Sequence, residues 1–335
     1  MTAAEPEVIS RVEQGVGRLT LNRPKALHAL TTSMCEAMIE SLWGWLEDPA
    51  VTLVLIDHSG ERGFCAGGDV RMLAESGASD GADARRFFFV EYQLNALLMS
   101  YPKPICVIMD GIIMGGGVGV ALPCRYRVAT ERTIFAMPET GIGLFPEVGG
   151  GWHLPRLPGE TGMWLALTGA RIKAADCLEL GIATDYVPSN RIAALKAAIV
   201  SDPNATASHI EGKRAYAGDA PLAAHRAVID AAFSNPSVDA IMLALSADGS
   251  AFALAHRELL LGKSPQTLKV AFRQLRAGRE LVSFNDNMVM EYRIGVRVVR
   301  RHDFLEGVRA VIVDKDNAPP VGPANAGWGH RRDAG

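Results

Sequence analysis

The middle of the chain reads ICVIMDGIIMGGGVG over residues 105–119. An apolar run of the buried-strand type, residues 105–109, leads within a few residues to three consecutive glycines. Glycine is unfavourable inside helices and strands, so three in a row are best explained by a backbone that something approaches closely. The stretch therefore predicts a buried strand that ends in a tight glycine loop.

Three explanations of the triple glycine are open. A dinucleotide-binding loop is poorly supported, because the glycines do not fit G-x-G-x-x-G in the required register. Tight packing of a helix on a strand would need no ligand. An oxyanion hole would combine N–H groups from two glycine loops, one near Gly116 and one near Gly68 in GFCAGGD, residues 63–69. Only the oxyanion hole uses both loops.

The segments that precede this stretch alternate between strand and helix patterns. Period-two alternation and apolar runs predict the strands, and short polar residues at the caps predict the helix starts. The predicted elements are strands at residues 17–22 and 51–56, a helix from Thr31 or Thr32 to about Glu47, and a helix capped by Asp69. This alternation predicts an α/β protein.

A helix predicted over residues 83–100 carries an acid on its apolar face. Phe87, Glu91, Leu94 and Leu98 share one side of this helix at steps of four, three and four. A buried acid needs a partner. Glu91 is therefore explained either by a structural hydrogen bond or by a role in a site.

Two further acids lie in an apolar, glycine- and proline-rich segment, FAMPETGIGLFPEVGGG, at residues 135–151. Apolar surroundings raise the pKa of a carboxyl group, and a second acid nearby makes joint ionisation harder still. Glu139 and Glu147 thus suit acid-base or nucleophilic chemistry. The structural alternative is that each acid caps a turn or meets a cation such as Arg156.

Composition excludes several classes of function. The 335 residues are 48% hydrophobic and carry a formal charge of −3, which is typical of a globular protein and not of a nucleic-acid binder. The five cysteines form no CxxC pair, and we find no signal-peptide or membrane-span pattern, so we expect a cytoplasmic protein without a membrane partner. Serine, metal and cysteine hydrolysis are unsupported, because there is no G-x-S-x-G, no metal-spaced histidine cluster and no evident base for Cys65.

The chain changes character near residue 190. Helical patterns dominate afterwards, while residues 201–219 are polar and are predicted to form a loop. We predict a core domain over residues 1–195, a helical region over residues 196–317 and a mobile tail over residues 318–335.

Ordered blocks along nearly the whole chain resemble the enoyl-CoA hydratase/isomerase, or crotonase, superfamily, and most closely its 3-hydroxyisobutyryl-CoA hydrolase branch. The blocks are LNRPKAL at 21–27, GFCAGGD at 63–69, MGGGVG at 114–119, FAMPE at 135–139, GLFP at 143–146, DFLEGVRA at 303–310 and DKD at 314–316. The resemblance implies an α/β fold with a crotonase-like ββα spiral core and a helical C-terminal region.

The activity implied by this resemblance is hydrolysis of a short β-hydroxyacyl-CoA thioester. The expected substrate is 3-hydroxyisobutyryl-CoA, a compound of valine catabolism. Coenzyme A is then part of the substrate, so neither a separate cofactor nor a metal is expected, and a homo-oligomer is left open. The implied roles are an oxyanion hole at Gly68 and Gly116, catalysis by Glu139 and Glu147, a substrate contact at Glu91, and CoA contacts at Lys25, Ala26, Leu27 and Ala66.

Three positions depart from superfamily patterns. Hydratases place a second catalytic glutamate where this chain has Gly119, a glycine that the hydrolase branch shares. Glu147 stands where the hydrolase branch usually has aspartate, and His28 stands where the superfamily often has asparagine. The alternatives to a hydrolase are an enoyl-CoA hydratase or isomerase and an inactive CoA-binding protein of the same fold. The two acids and both glycine loops argue against the inactive protein, and Gly119 argues against the hydratase.

Overall fold

The computed structural model describes residues 5–316, which form two compact units that interleave along the sequence. The first unit comprises residues 5–68, 90–135 and 172–221, and the second comprises residues 69–89, 136–171 and 222–316. The domain boundary near residue 195 stays a prediction. The tail predicted to be mobile lies outside the described residues.

Pairs of strands followed by a helix recur through the first half of the chain. In the described residues the strands are β1 (Val8–Glu13), β2 (Val16–Leu21), β3 (Leu53–His58), β4 (Gly63–Cys65), β5 (Ile105–Met109), β6 (Ile112–Met114), β7 (Tyr126–Ala129), β8 (Ile134–Ala136), β9 (Ile172–Lys173) and β10 (Asp185–Tyr186). They form a sheet of order β1-β2-β3-β5-β7-β10 and a smaller sheet of order β4-β6-β8-β9. Strands β3, β5 and β7 are parallel, and the strand after each of them joins the smaller sheet.

The helices that follow these strand pairs begin with α1 (Thr32–Leu46), α2 (Val70–Gly77), α3 (Ala82–Ser100) and α4 (Gly116–Ala121). Further along are α5 (Gly150–His153), α6 (Thr161–Thr168), α7 (Ala174–Glu179), α8 (Ser189–Ser201) and α9 (Thr206–Glu211). Thr31 caps α1, and Asp69 caps α2 by accepting the Met72 N–H at 3.4 Å. The α/β class and both predicted caps are confirmed.

The core of the first unit explains one error of the sequence analysis. Residues 201–219 were predicted to be a loop, but the Asp202 side chain accepts the Asn204 N–H at 3.2 Å and α9 begins shortly afterwards. Ile210 of α9 is buried in the same apolar cluster as Leu53 of β3 and Ile199 of α8. One apolar side chain on this otherwise polar segment is enough to dock it on the core.

The last part of the second unit is helical, as predicted. Its helices are α10 (Arg226–Phe233), α11 (Val238–Asp248), α12 (Ala251–Leu261), α13 (Pro265–Glu280), α14 (Phe284–Val298) and α15 (His302–Val308). Four of them start at a serine whose hydroxyl accepts a backbone N–H three residues on; these caps are Ser237, Ser250, Ser264 and Ser283. None of the helices in residues 5–316 combines the length and the apolar character needed to cross a membrane.

Candidate active site

The two glycine loops lie against each other in the first unit. Gly116 is the first residue of α4, and Gly115 before it has the positive φ of 46° that glycine adopts readily. A Cβ atom built on Gly116 would come within 3.3 Å of the Gly67 carbonyl carbon, so the two loops pack closely at this point. Gly68 stands next to Gly67 and just before the cap of α2. Both predicted oxyanion glycines are thus at helix starts, where backbone N–H groups lack helical partners.

The third glycine of the triplet, Gly117, has a structural role. A Cβ atom on Gly117 would lie 2.5 Å from the Cys65 carbonyl oxygen and 2.8 Å from its Cβ. This contact is the tight packing of a helix on a strand that the sequence analysis left open. Packing of α4 against Cys65 therefore explains why residue 117 is glycine. It does not explain why Gly116 faces Glu91.

We expect Gly117→Ala to lower the free energy of unfolding by about 1–3 kcal/mol, because the backbone at Cys65 must move to admit a methyl group. Gly44, in the exposed part of α1, is the matched control, since a Cβ there meets nothing within 4 Å. Gly44→Ala should stabilise by up to about 1 kcal/mol through helix propensity. Denaturant unfolding measures the free energy of unfolding of both variants, and equal changes in the two would contradict the packing argument.

Glu91 of α3 lies beside Gly116, and its side chain is buried with only 1% of the residue exposed. A Cβ atom on Gly116 would sit 2.7 Å from Glu91 Oε1. Phe87, Leu94 and Leu98 on the same face of α3 are also at most 2% exposed, which confirms the predicted inward face. The structure thus brings Glu91 together with the glycine loops, and its role toward substrate stays a prediction.

The residues predicted to contact CoA come from two neighbouring loops, and one of these loops is the glycine loop that contains Gly68. Lys25 and Ala26 lie in a single 3-10 turn, Pro24–Ala26, and Leu27 follows in a left-handed conformation. The Ala66 N–H donates to the Leu27 carbonyl at 3.0 Å, so these residues are neighbours in space. Lys25 is exposed, as a phosphate contact needs to be.

A buried histidine holds this loop. His28 Nδ1 accepts the Arg23 N–H at 3.0 Å, and His28 Nε2 is 2.9 Å from the Ser59 carbonyl oxygen. The ring therefore carries its proton on Nε2 when neutral. Burial, followed by the neighbouring His58, lowers the pKa of His28 to about 4, so the ring is neutral at physiological pH. The sequence analysis noted His28 as a departure but assigned it no task.

The described residues contain neither an exposed thiol nor a cluster of metal-binding side chains. Burial raises the pKa of Cys65 to about 12, and its thiol donates to the His28 carbonyl at 3.1 Å. All five cysteines are buried and free of disulfide bonds. Within residues 5–316 no three His, Cys, Asp or Glu side chains are grouped to hold a metal ion.

Glu139 lies in the second unit at the start of a 3-10 turn, Glu139–Ile142, shortly after β8. The residue is 5% exposed, and within the described residues its buried Oε2 has no hydrogen-bond partner. Burial is the main reason why the pKa of Glu139 rises to about 8; its own backbone N–H and Lys263 act in the opposite direction, and Glu291 adds to the rise. Such a carboxyl can exchange a proton near neutral pH.

Lys263, between α12 and α13, was missed by the sequence analysis. Its Nζ would lie 3.1 Å from a Cβ atom on Gly141 and 3.6 Å from one on Gly169, so it stands over the turn that carries Glu139. Burial lowers the pKa of this ammonium, and Glu139 opposes that change. Lys263 and Gly141 also line an open cavity of about 410 Å³ in the second unit, together with Ala255, Glu258, Leu259, Gly262 and Val311.

Glu147 is also buried, with 6% of the residue exposed. It precedes a left-handed turn at Val148 and Gly149, whose φ angles are 54° and 92°. The Gly150 N–H closes this turn on the Glu147 carbonyl at 2.8 Å, and α5 begins there. The alternative partner Arg156 instead donates to the carbonyl oxygens of Trp152, Gly278 and Leu281. Its burial shows that Glu147 is not a surface acid, and its role in catalysis stays a prediction.

The family model described as Enoyl-CoA hydratase/isomerase matches residues 16–327. Curated relatives named mitochondrial 3-hydroxyisobutyryl-CoA hydrolase are similar over most of the chain. The protein from Danio rerio is 42% identical, with 96% of this chain and 86% of the relative covered. The one from Xenopus tropicalis is 44% identical over 93% and 81%, and the one from Homo sapiens is 41% identical over 97% and 86%.

Solved structures share the fold. A carnitinyl-CoA dehydratase from Mycobacterium thermoresistibile superposes with a TM-score of 0.90 at 40% identity, covering 97% of this chain and 96% of the other. An enoyl-CoA hydratase from Rhodobacter sphaeroides 2.4.1 superposes with a TM-score of 0.87 at 36% identity, covering 96% and 97%. These likenesses confirm the crotonase-like α/β fold predicted from the sequence.

Proposed function

Because this chain belongs to the enoyl-CoA hydratase/isomerase family, we propose that it is an acyl-CoA thioester hydrolase that converts 3-hydroxyisobutyryl-CoA to 3-hydroxyisobutyrate and CoA. The three relatives described above carry this name and are 41–44% identical over more than nine tenths of the chain. Their agreement bears out the hydrolase predicted from the sequence. The buried Glu139, with its raised pKa, is the structural observation that carries the proposal.

In the proposed reaction, water adds to the thioester carbonyl carbon, the carbon–sulfur bond breaks, and the proton from water goes to the leaving sulfur. The N–H groups of Gly68 and Gly116 are assigned to the developing oxyanion. Glu139 is assigned one of two roles. As a general base it would take the proton from the attacking water; as a nucleophile it would attack the carbonyl carbon and form an anhydride that water then opens. Glu147 is assigned the positioning or protonation step.

The reaction needs only these groups and water. We therefore propose that no separate cofactor takes part and that CoA enters and leaves with the substrate. Lys25, Ala26 and Leu27, together with Ala66 of the neighbouring loop, are assigned to CoA, because an exposed cation next to backbone groups suits a phosphate.

A hydratase is the second candidate, since the two solved structures bear dehydratase and hydratase titles. Helix α4 argues against it. Addition of water to an enoyl group in this superfamily uses a second acid from this helix, but α4 reads GGVGVA, and every residue in it is buried and without a charge. Gly119 stands at the position in question.

We expect the purified protein to release free CoA thiol from 3-hydroxyisobutyryl-CoA much faster than it hydrates crotonyl-CoA. A thiol-reactive dye measures the first reaction and loss of enoyl absorbance the second. Rapid loss of enoyl absorbance without thiol would instead establish a hydratase. If neither signal appears while CoA raises the unfolding temperature, the protein is an inactive CoA binder.

A cytoplasmic location belongs to the same proposal. Five buried thiols without disulfide bonds suit a reducing compartment. The vertebrate relatives are named as mitochondrial proteins, which is a property of those proteins.

A further inference from the structure

A buried acid outside the predicted site accepts hydrogen bonds from the turn after Glu147. Glu291 of α14 is 0% exposed, and its two carboxylate oxygens accept four hydrogen bonds. Oε2 accepts the Gly149 N–H at 2.8 Å. Oε1 accepts the Gly151 N–H at 2.8 Å, Asn287 Nδ2 at 2.9 Å and Gln274 Nε2 at 3.1 Å.

The same cluster fixes the turn from its other side. Gln274 Nε2 also donates to the Pro146 carbonyl at 2.6 Å. Glu147 therefore stands between Pro146, which Gln274 holds, and Gly149, which Glu291 holds. Val148 between them has the left-handed φ of 54°, a conformation that persists only where neighbours fix it.

A neutral side chain could not replace this acid without loss. The two turn N–H groups need two acceptors, and a carboxylate offers one oxygen to each, whereas an amide has a single acceptor oxygen. The cluster lies directly against the turn backbone, because a Cβ atom on Gly151 would come within 2.6 Å of Asn287 Oδ1 and 3.0 Å of Glu291 Oε1.

We propose that Glu291 is a positioning residue of the hydrolase, whose hydrogen bonds to Gly149 and Gly151 hold the turn that carries Glu147. As a second part of its action, the charge of Glu291 adds to the rise in the pKa of Glu139, which is caused mainly by burial. This inference rests on the proposed function. It assigns Glu291 no contact with substrate.

The effect of the Glu291 charge on Glu139, the second part of the proposal, can be tested through the pH dependence of activity. Lys263 and the Glu139 N–H lower the pKa of Glu139, and Glu291 raises it, on top of the larger effect of burial. Burial also raises the pKa of Glu291 to about 7, while its four donors oppose that rise. Near pH 8 Glu291 is therefore mostly ionised. Removing its charge favours the ionised form of Glu139, so activity should appear at lower pH.

We expect Glu291→Gln to lower kcat about fivefold with KM within about twofold of the parent, because the affected groups act on the reacting bond. In a plot of kcat against pH, the acidic limb should move to lower pH. Glu160→Gln is the matched control: Glu160 is a mostly buried acid of the same unit that accepts from Arg276 and Arg279 at 3.1 Å. It should leave the acidic limb in place.

Glu291→Asp separates the hold on the turn from the effect of the charge on Glu139. It also provides the test if the Gln variant does not fold. It keeps the charge but is one methylene too short for both turn N–H groups, so kcat should fall while the acidic limb stays. An unchanged kcat in the Asp variant, or an unmoved limb in a folded Gln variant, would overturn the proposal. A parent protein without thioesterase activity would instead refute the proposed function.

Discussion

Replacing Glu139 by glutamine is expected to lower the turnover number about a hundredfold or more with little change in KM. Glutamine keeps the shape of the side chain and removes the group that can take a proton or attack the carbonyl. The loss should appear in kcat because this group acts in the transition state and contributes little to holding CoA. Steady-state thiol release from 3-hydroxyisobutyryl-CoA measures it.

Stability provides the control for this variant. The pKa of Glu139 in the folded protein, about 8, is above the value of 4.5 that a glutamate has in an unfolded chain. The folded state thus binds more protons between these values, and stability falls as pH rises toward 8. Glutamine does not titrate, so the variant should be at least as stable as the parent at pH 8. The control variant is Glu280→Gln, at the exposed end of α13, which should change neither the turnover number nor the stability at pH 8.

Near-parental turnover in Glu139→Gln would show that this acid is not the reacting group. An inactive variant that is also much less stable than the parent at pH 8 would show a structural role. Only the combination of lost turnover with retained stability supports the assignment.

Local chemistry explains why much of the fold could be predicted. Period-3.6 spacing placed Glu91 on the inner face of α3, and the capping preference of Asp69 located the start of α2. These features depend on residues within two turns of one another. The resemblance then supplied roles for the glycines and acids, which remain predictions although Gly116 and Glu91 do lie side by side.

Groups held by distant parts of the chain were not predictable in this way. Glu291 binds N–H groups 142 and 140 residues before it, and no pattern near either end specifies that pairing. A weaker local signal existed. Glu291 shares the buried face of α14 with Phe284, Asn287 and Met288, so the rule that singled out Glu91 would have marked it as a buried acid. Lys263 follows a helix end and gave no such signal.

Glu147→Ala is expected to reduce hydrolysis about twentyfold or more while the protein stays folded. The side chain is buried in a turn whose backbone is held on both sides, at Pro146 by Gln274 and at Gly149 by Glu291. These backbone contacts do not involve the Glu147 carboxylate, so its removal should leave the turn in place. Thiol release and circular dichroism measure the two effects.

Glu147→Asp should keep measurable hydrolysis but change the preference among acyl groups. The turn is fixed, so a side chain shorter by one methylene withdraws its carboxylate and leaves room beside the acyl chain. Aspartate, the usual residue of the hydrolase branch that the chain resembles, also keeps a carboxylate at this position, so we expect activity to persist. We would measure kcat/KM for 3-hydroxyisobutyryl-CoA and for longer and shorter β-hydroxyacyl-CoA thioesters. If the Ala variant hydrolyses every one of them like the parent, Glu147 is not part of the reaction, and Glu139 must act with Glu91 or water alone.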